Sequence, residues 1–418
     1  LMPKKKTRGI IFWLLILFLL AAAAGGLGSR NFRQGRYRDW VSAVYVMAVV
    51  KFQYYQPVSL PKLVKAYWER GTIAGMLRTL KDPYTRYLGK HEFAELRKET
   101  SGTFGGIGVY LIPKDEELLV SAVVSGSPGE RAGLQQGDRI VAIGKKPVKN
   151  LGTEVAIAKI RGPAGTKVKL RITRGEGKSL RELDLLITRK NIYIPTVEMQ
   201  VKKDPELGEY AYLKISQFAE TTPADLSQKI HELKKSRSKA ILLDLRSNPG
   251  GALDAAIKVA GEFLPQGTPI IHIFRRGYPV DTLAAPKMEN VCENLPMAVL
   301  VNSWSASAAE IVSGALKDQK RASLVGTHTF GKDLIQEVKE LPNGTGVTIT
   351  IANYLTSGKV NIHKRGVQPH RVVEIPGAME RLLKKGDPRP FFRMEALQER
   401  EAVRMLREMV VTGNKIAG

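Results

Sequence analysis

The stretch 302–336, NSWSASAAEIVSGALKDQKRASLVGTHTFGKDLIQ, constrains this chain more than any other. The run before it, Met297, Ala298, Val299, Leu300 and Val301, is short, apolar, partly β-branched and bounded by Pro296 and Asn302. It reads as a buried strand, although periodicity over so few residues does not by itself exclude a helix. Ser307 then opens a helix whose apolar face is Ala308, Ala309, Ile311, Val312, Ala315 and Leu316, with Glu310 complementing the positive end of the helix dipole. A serine at a helix start has free backbone N–H groups beside its hydroxyl. Such donors can hold an oxyanion, which acyl transfer needs. The plainer reading is an N-cap, the commonest role of a serine there.

A serine hydroxyl is a poor nucleophile until a base takes its proton. The chain has six histidines and none lies in a motif; His328, the nearest in sequence, sits in a polar loop between Thr327 and Thr329. Lys332 is the better base, because Leu334 and Ile335 after it return the chain to the core and burial disfavours the charged amine. The bland alternative is a solvated loop lysine. A third reading is a phosphate-binding loop, since 326–333, GTHTFGKD, is one residue short of that motif. Asp333, where Ser or Thr should hold magnesium, and the turn signal Leu341-Pro342-Asn343-Gly344 shortly afterwards argue against it.

Ser305-Ala306-Ser307-Ala308-Ala309-Glu310-Ile311, then Gly314, and Thr329-Phe330-Gly331-Lys332 with Gln336 resemble the active-site block of the carboxy-terminal processing peptidases, the tail-specific serine proteases. The resemblance implies that Ser307 is the nucleophile, Lys332 the general base and Gln336 the residue that positions the lysine. Ala309 stands where the family often has serine, and Asp333 where it often has glycine. The second departure leads to the expectation that a carboxylate beside Lys332 favours its charged form.

Further up the chain, 239–245, KAILLDL, is a buried strand leading into Arg246-Ser247-Asn248-Pro249-Gly250-Gly251, a turn where backbone donors can face a ligand. By resemblance, the oxyanion hole is Gly250 or Gly251 together with Ala308; the plainer reading is that the glycines only make the turn. The glycine-rich 103–109, TFGGIGV, and the strands and turns over 118–143 and 168–172 resemble a PDZ domain of the circularly permuted bacterial type. Glycines let successive N–H groups converge on a terminal carboxylate, and the adjoining strand edge can accept a peptide by β-augmentation. Gly105, Gly106, Ile107, Gly108 and Val109 are the expected binding residues for a substrate C-terminus. Asp82-Pro83-Tyr84-Thr85-Arg86-Tyr87 and Gly366-Val367-Gln368-Pro369-His370 also resemble family segments; read alone, the first is ordinary core and turn.

The resemblance implies an α/β fold: a core of strand-strand-helix repeats of the ClpP/crotonase kind, carrying an inserted permuted PDZ β-sandwich and preceded by a helical segment. The expected domains are 1–29, a signal anchor or signal peptide; 30–102, helical; 103–190, PDZ; 191–383, peptidase core, with a linker near 191–195; and 384–418, a charged helical tail to which the sequence assigns no function. Residues 10–24 are apolar after Lys4, Lys5, Lys6 and Arg8, and read as an uncleaved anchor, with small residues at 21–24 where a signal peptidase could cut. Arginines 30, 33, 36 and 38 balance the near-side charges, so orientation is undecided by charge. The expected setting is the bacterial inner membrane with the peptidase extracytoplasmic.

A net charge of +25 suggests attraction to an anionic surface; scattered basic residues, without zinc-finger spacing or a basic region followed by heptads, give nucleic acid no further support, so the charge reads as solubility and membrane proximity and no nucleic-acid partner is expected. The lone cysteine, Cys292, excludes internal disulfides and cysteine-based metal sites; no metal and no cofactor is expected. Expected partners are protein substrates with exposed apolar C-termini and the membrane, with a homo-oligomer or an adaptor left open. A serine endopeptidase with a Ser-Lys dyad is the reading; a catalytically inactive PDZ scaffold is the rival.

Overall fold

The computed structural model describes residues 36–374, apart from 176, 194, 290, 291 and 293, and residues 389–413. The apolar run 10–24 and the anchor expected there lie outside the described residues. The described residues form two compact units, one made of those up to 100 and from 196 onward, the other of those within 101–195.

The first unit begins with α1 (Arg36–Gln53), α2 (Leu60–Arg70), broken off from α1 around Pro57, and α3 (Ile73–Arg78). Their buried faces, with Val46, Val50, Leu63, Met76 and Leu77, form one cluster with Val347 and Ile349. A short strand, β1 (Arg86–Leu88), and α4 (Lys90–Ser101) follow.

The second unit holds β2 (Thr103–Gly106), β3 (Val109–Lys114), β4 (Glu117–Val123), α5 (Pro128–Arg131), β5 (Arg139–Ile143), β6 (Lys146–Pro147), α6 (Thr153–Ile160), β7 (Lys167–Arg174), β8 (Arg181–Thr188) and β9 (Lys190–Tyr193). Its main sheet runs β3-β4-β5-β7-β8, so β3 is an edge strand. The segment expected as a linker near 191–195 is partly structural. Ile192 is buried, and β9 pairs antiparallel with β2 from Thr103↔Tyr193 to Gly106↔Lys190.

Returning to the first unit, β10 (Val197–Asp204), β11 (Gly208–Ile215), α7 (Thr222–Lys234), β12 (Ile241–Asp244), α8 (Leu253–Gly261), β13 (Pro269–Phe274), β14 (Asp281–Ala284), β15 (Met297–Val301), α9 (Ala308–Asp318), β16 (Ser323–Gly326), β17 (Leu334–Glu340), β18 (Gly346–Thr356), β19 (Arg371–Val372) and α10 (Arg389–Thr412) alternate in the α/β manner. Six strands in the order β10-β11-β12-β15-β16-β19 make a sheet that is parallel except for β10. All five residues of β15 are buried, as a strand covered on both faces must be. One face packs against α7, α8 and α9. The other is covered by α10, whose Ala402, Leu406 and Met409 meet Leu242, Leu300 and Val325. The charged tail is thus an amphipathic helix that completes the core. A second sheet joins β1, β18, β13 and β14, with β17 also on β18.

Parallel pairing of β12 with β15, Asp244 opposite Leu300, makes the loops 245–252 and 302–307 leave the same end of neighbouring strands. In open parallel sheets that end is where ligands bind.

Candidate active site

Those two loops are stitched together before either reaches the site. The Ala306 N–H donates to Asn248 O (2.9 Å), Ser305 Oγ to Leu245 O (2.8 Å), and the Ser247 N–H to Asn302 Oδ1 (2.9 Å). Ser307 follows at φ 54°, ψ −111°, a conformation that L-residues rarely adopt and that costs about 1–3 kcal/mol wherever it is held. Gly250 makes the close approach to it. A Cβ there would lie 2.7 Å from Ala306 O, 2.9 Å from Ser307 Cβ and 3.0 Å from Ala308 N, at a φ of 97°.

The two glycines differ in what their amides do. The Gly250 N–H donates to Asn248 Oδ1 (2.9 Å), closing the turn. Gly251 is held by a parallel bridge to Phe218, whose amide donates to Gly250 O and whose carbonyl accepts from the Ala252 N–H. Neither the Gly251 amide nor that of Ala308, the first residue of α9, has a partner among the described residues. Of the donors expected from sequence, Gly251 and Ala308 are open and Gly250 is committed to shape.

Glu310 is fully buried and joins the serine turn to the lysine loop. Its Oε2 accepts from Ser307 N (2.8 Å) and Lys332 N (2.9 Å), and its Oε1 from Thr329 Oγ1 (2.6 Å) and Gly331 N (2.6 Å). Burial raises its pKa, and these four bonds oppose that. The buried Tyr354 hydroxyl adds a second bridge, facing Lys332 O (3.0 Å) and Ser307 O (3.4 Å).

Lys332 is half-buried, and its Nζ lies 4.7 Å from the centre of the Tyr84 ring. Desolvation pushes its pKa below the usual lysine range, while the carboxylates of Glu310 and Asp82 push back. The expectation that Asp333 supplies the carboxylate beside the base needs correction. Asp333 is buried with its Oδ1 2.7 Å from His363 Nδ1, and is not among the charges acting on Lys332. Gln336, on β17, has its Nε2 buried without a partner among the described residues. His328 is exposed.

Ser307, Ala308, Gly251, Lys332 and Gln336 all line one cleft of about 390 Å³. Tyr84, Arg86, Leu253, Ile311 and Tyr354 complete much of its wall. The sequence reading missed Glu310 as a joint, although Ser307-x-x-Glu310 is a capping-box spacing that could have suggested it. It named Asp82 and Tyr84 only within a segment that resembles the family, and not as neighbours of Lys332, where the fold places them.

In the second unit Gly105, Gly106, Ile107, Gly108 and Val109 line another cavity, of about 280 Å³, with Ile157 and Ile160 of α6 across from them and Ile192 of β9 beside them. The open edge of β3 adjoins this cavity. Those three isoleucines are apolar lining that the sequence reading did not name.

Known proteins agree with this geometry. The family model described as peptidase family S41 matches 209–373, and a PDZ domain model matches 119–174. The carboxy-terminal processing protease CtpA of Bacillus subtilis (strain 168) is 37% identical over 78% of this chain and 67% of its own length. The chain belongs to peptidase family S41. The carboxyl-terminal-processing protease of Synechocystis is likewise 37% identical, over 73% of this chain and 70% of the relative. Among solved structures, the photosystem II D1 C-terminal processing protease superposes with a TM-score of 0.51 at 29% identity, covering 82% of this chain and 95% of that one. This S41 peptidase is therefore a serine-type hydrolase of the carboxy-terminal processing kind with a PDZ domain, and the inactive-scaffold reading is not favoured.

Proposed function

We propose that Ser307 and Lys332 form the catalytic dyad of an endopeptidase acting on proteins delivered by their C-termini. Neutral Lys332 takes the Ser307 proton as Oγ bonds to the scissile carbonyl carbon. The resulting oxyanion sits on the amides of Gly251 and Ala308. The lysine ammonium then protonates the departing amine as the C–N bond breaks, and water repeats the sequence on the acyl-enzyme. Gln336 orients the lysine, and the 390 Å³ cleft receives the chain around the cut.

The observation that carries this reading is that a strained serine, a lysine made less basic by burial and two unpartnered amides line the same cleft. The second-unit groove, with its glycine loop, branched aliphatic lining and free strand edge, suits a C-terminal carboxylate following an apolar residue. An extracytoplasmic setting, with 10–24 as anchor, completes the proposal.

The test is turnover of an unfolded protein with an apolar C-terminus by the Ser307→Ala variant. Turnover should vanish with the fold intact, whereas loss of a mere cap would cost about 1 kcal/mol of stability and spare activity. Retained turnover sends the search to Ser303 and Ser305.

A further inference from the structure

The turn that carries Gly251 starts at Arg246, whose side chain is only 5% exposed. Its Nε and Nη2 donate to the carboxylate of Asp244 (3.0 Å to Oδ1, 2.6 Å to Oδ2), which also accepts from the Tyr212 hydroxyl (2.6 Å). Its remaining nitrogen, Nη1, reaches out of the sheet to α10, donating to Glu395 O (2.8 Å) and Gln398 Oε1 (3.3 Å). Gln398 is fully buried, and its Nε2 donates to Val373 O (3.3 Å).

A helix that merely covered the sheet would need only its apolar stripe of Ala402, Leu406 and Met409. A buried glutamine and a buried guanidinium aimed at a helix carbonyl are costly unless every partner is in place, so they define one position of helix against turn rather than a range. From Arg246 the constraint passes directly into the site. Ser247 is held at a φ of 57°, Asn248 Nδ2 donates to Ile215 O (2.8 Å), Asn248 Oδ1 takes the Gly250 amide, and Gly251 follows with its N–H open.

We infer that α10 is a positioning element of the catalytic centre: through Gln398 and the Glu395 carbonyl it fixes Arg246, and through Arg246 the direction in which the Gly251 amide points. This rests on the peptidase reading above only where activity is the readout.

The experiment compares two variants of the full chain. Gln398→Leu keeps α10 and its burial but removes the acceptor, whereas Met409→Ala removes apolar burial about three turns further along the helix and leaves the Gln398 and Glu395 ties to Arg246 in place. Deuterium uptake over 245–252 should rise about tenfold in rate in Gln398→Leu, and kcat should fall about tenfold with KM within about twofold, because a displaced donor weakens transition-state binding. Met409→Ala should lower Tm at least as far while leaving both turn uptake and kcat near those of the unsubstituted chain. Unchanged uptake over the turn in Gln398→Leu, or the same two effects in Met409→Ala, would overturn the inference. An unsubstituted chain without turnover would sink the peptidase reading, and the uptake comparison would still decide the role of α10.

Discussion

The backbone amides of Ser307 and Lys332 donate to one and the same oxygen, Oε2 of Glu310, at 2.8 and 2.9 Å. The serine begins one helix and the lysine precedes a strand of the other sheet, so neither element by itself sets the distance between nucleophile and base. A single buried carboxylate does, with the Tyr354 hydroxyl as a second tie.

Glu310→Gln follows as the first test. A carboxylate accepts at both oxygens, but a carboxamide must turn its NH2 toward either the pair Ser307 and Lys332 or the pair Thr329 and Gly331. Each buried donor left without an acceptor costs about 1–3 kcal/mol. The variant should be destabilised by several such units on denaturant titration. Its kcat should fall by more than about a hundredfold, as expected of a misplaced dyad. Near-normal turnover would mean that the amide ties are dispensable.

How much of this could be read beforehand depends on distance along the chain. The buried strand before Ser307, the helix it opens, the glycine turn after β12 and the lysine before β17 are local patterns and were legible. The placement of Tyr84 and Asp82 beside Lys332 was not, because it depends on the pairing of β1 with β18, Arg86 opposite Thr348, far away in sequence. Asp333 misled for a related reason: adjacency to Lys332 suggested coupling, but its partner is His363, supplied by a distant loop. In sequence the tail reads as charged because α10 carries a polar face. Its apolar stripe has meaning only against the sheet it covers.

Gly250 and Gly251 should fail differently from an ordinary turn glycine. Gly250→Ala sets a methyl 2.7 Å from Ala306 O and 2.9 Å from Ser307 Cβ, and Gly251→Ala sets one 2.1 Å from Phe218 O. Either must shift the oxyanion donors, for which losses of roughly 10²–10³ in kcat are expected. Gly267→Ala, where nothing lies within 4 Å of the added methyl, serves as the control for strain at positive φ alone, and should keep its kcat.

For the PDZ groove, peptides ending in a free carboxylate after an apolar residue should bind and their amidated forms should not, since the glycine loop offers N–H groups to an anion. Ile157→Ala on α6 should weaken binding about tenfold by removing part of the apolar wall. Calorimetry with matched peptides measures both effects, and equal affinity for acid and amide would remove the carboxylate from the recognition.

The pH dependence of turnover tests Lys332 most directly. A general base acts when neutral, so the rate should rise with pH through a pKa that burial has placed below the ordinary lysine value of 10.5. Lys332→Arg should be inactive, because guanidinium keeps its proton throughout the accessible range. The opposing charge that can be removed with least damage is Asp82. Its carboxylate favours the lysine ammonium; asparagine still offers an oxygen to the Tyr84 amide that Asp82 Oδ1 now accepts from at 2.9 Å, and the Thr85 and Thr350 hydroxyls that donate to Oδ2 (both 2.7 Å) can turn to accept from the new NH2. Taking that negative charge away lowers the lysine pKa further, so Asp82→Asn should move the rising limb to lower pH. Asp333→Asn should leave the limb in place, since its carboxylate is engaged with His363. A limb that moves in Asp333→Asn and not in Asp82→Asn would reverse the assignment of the charges around the base, and a flat profile in the unsubstituted enzyme would remove Lys332 from the chemistry.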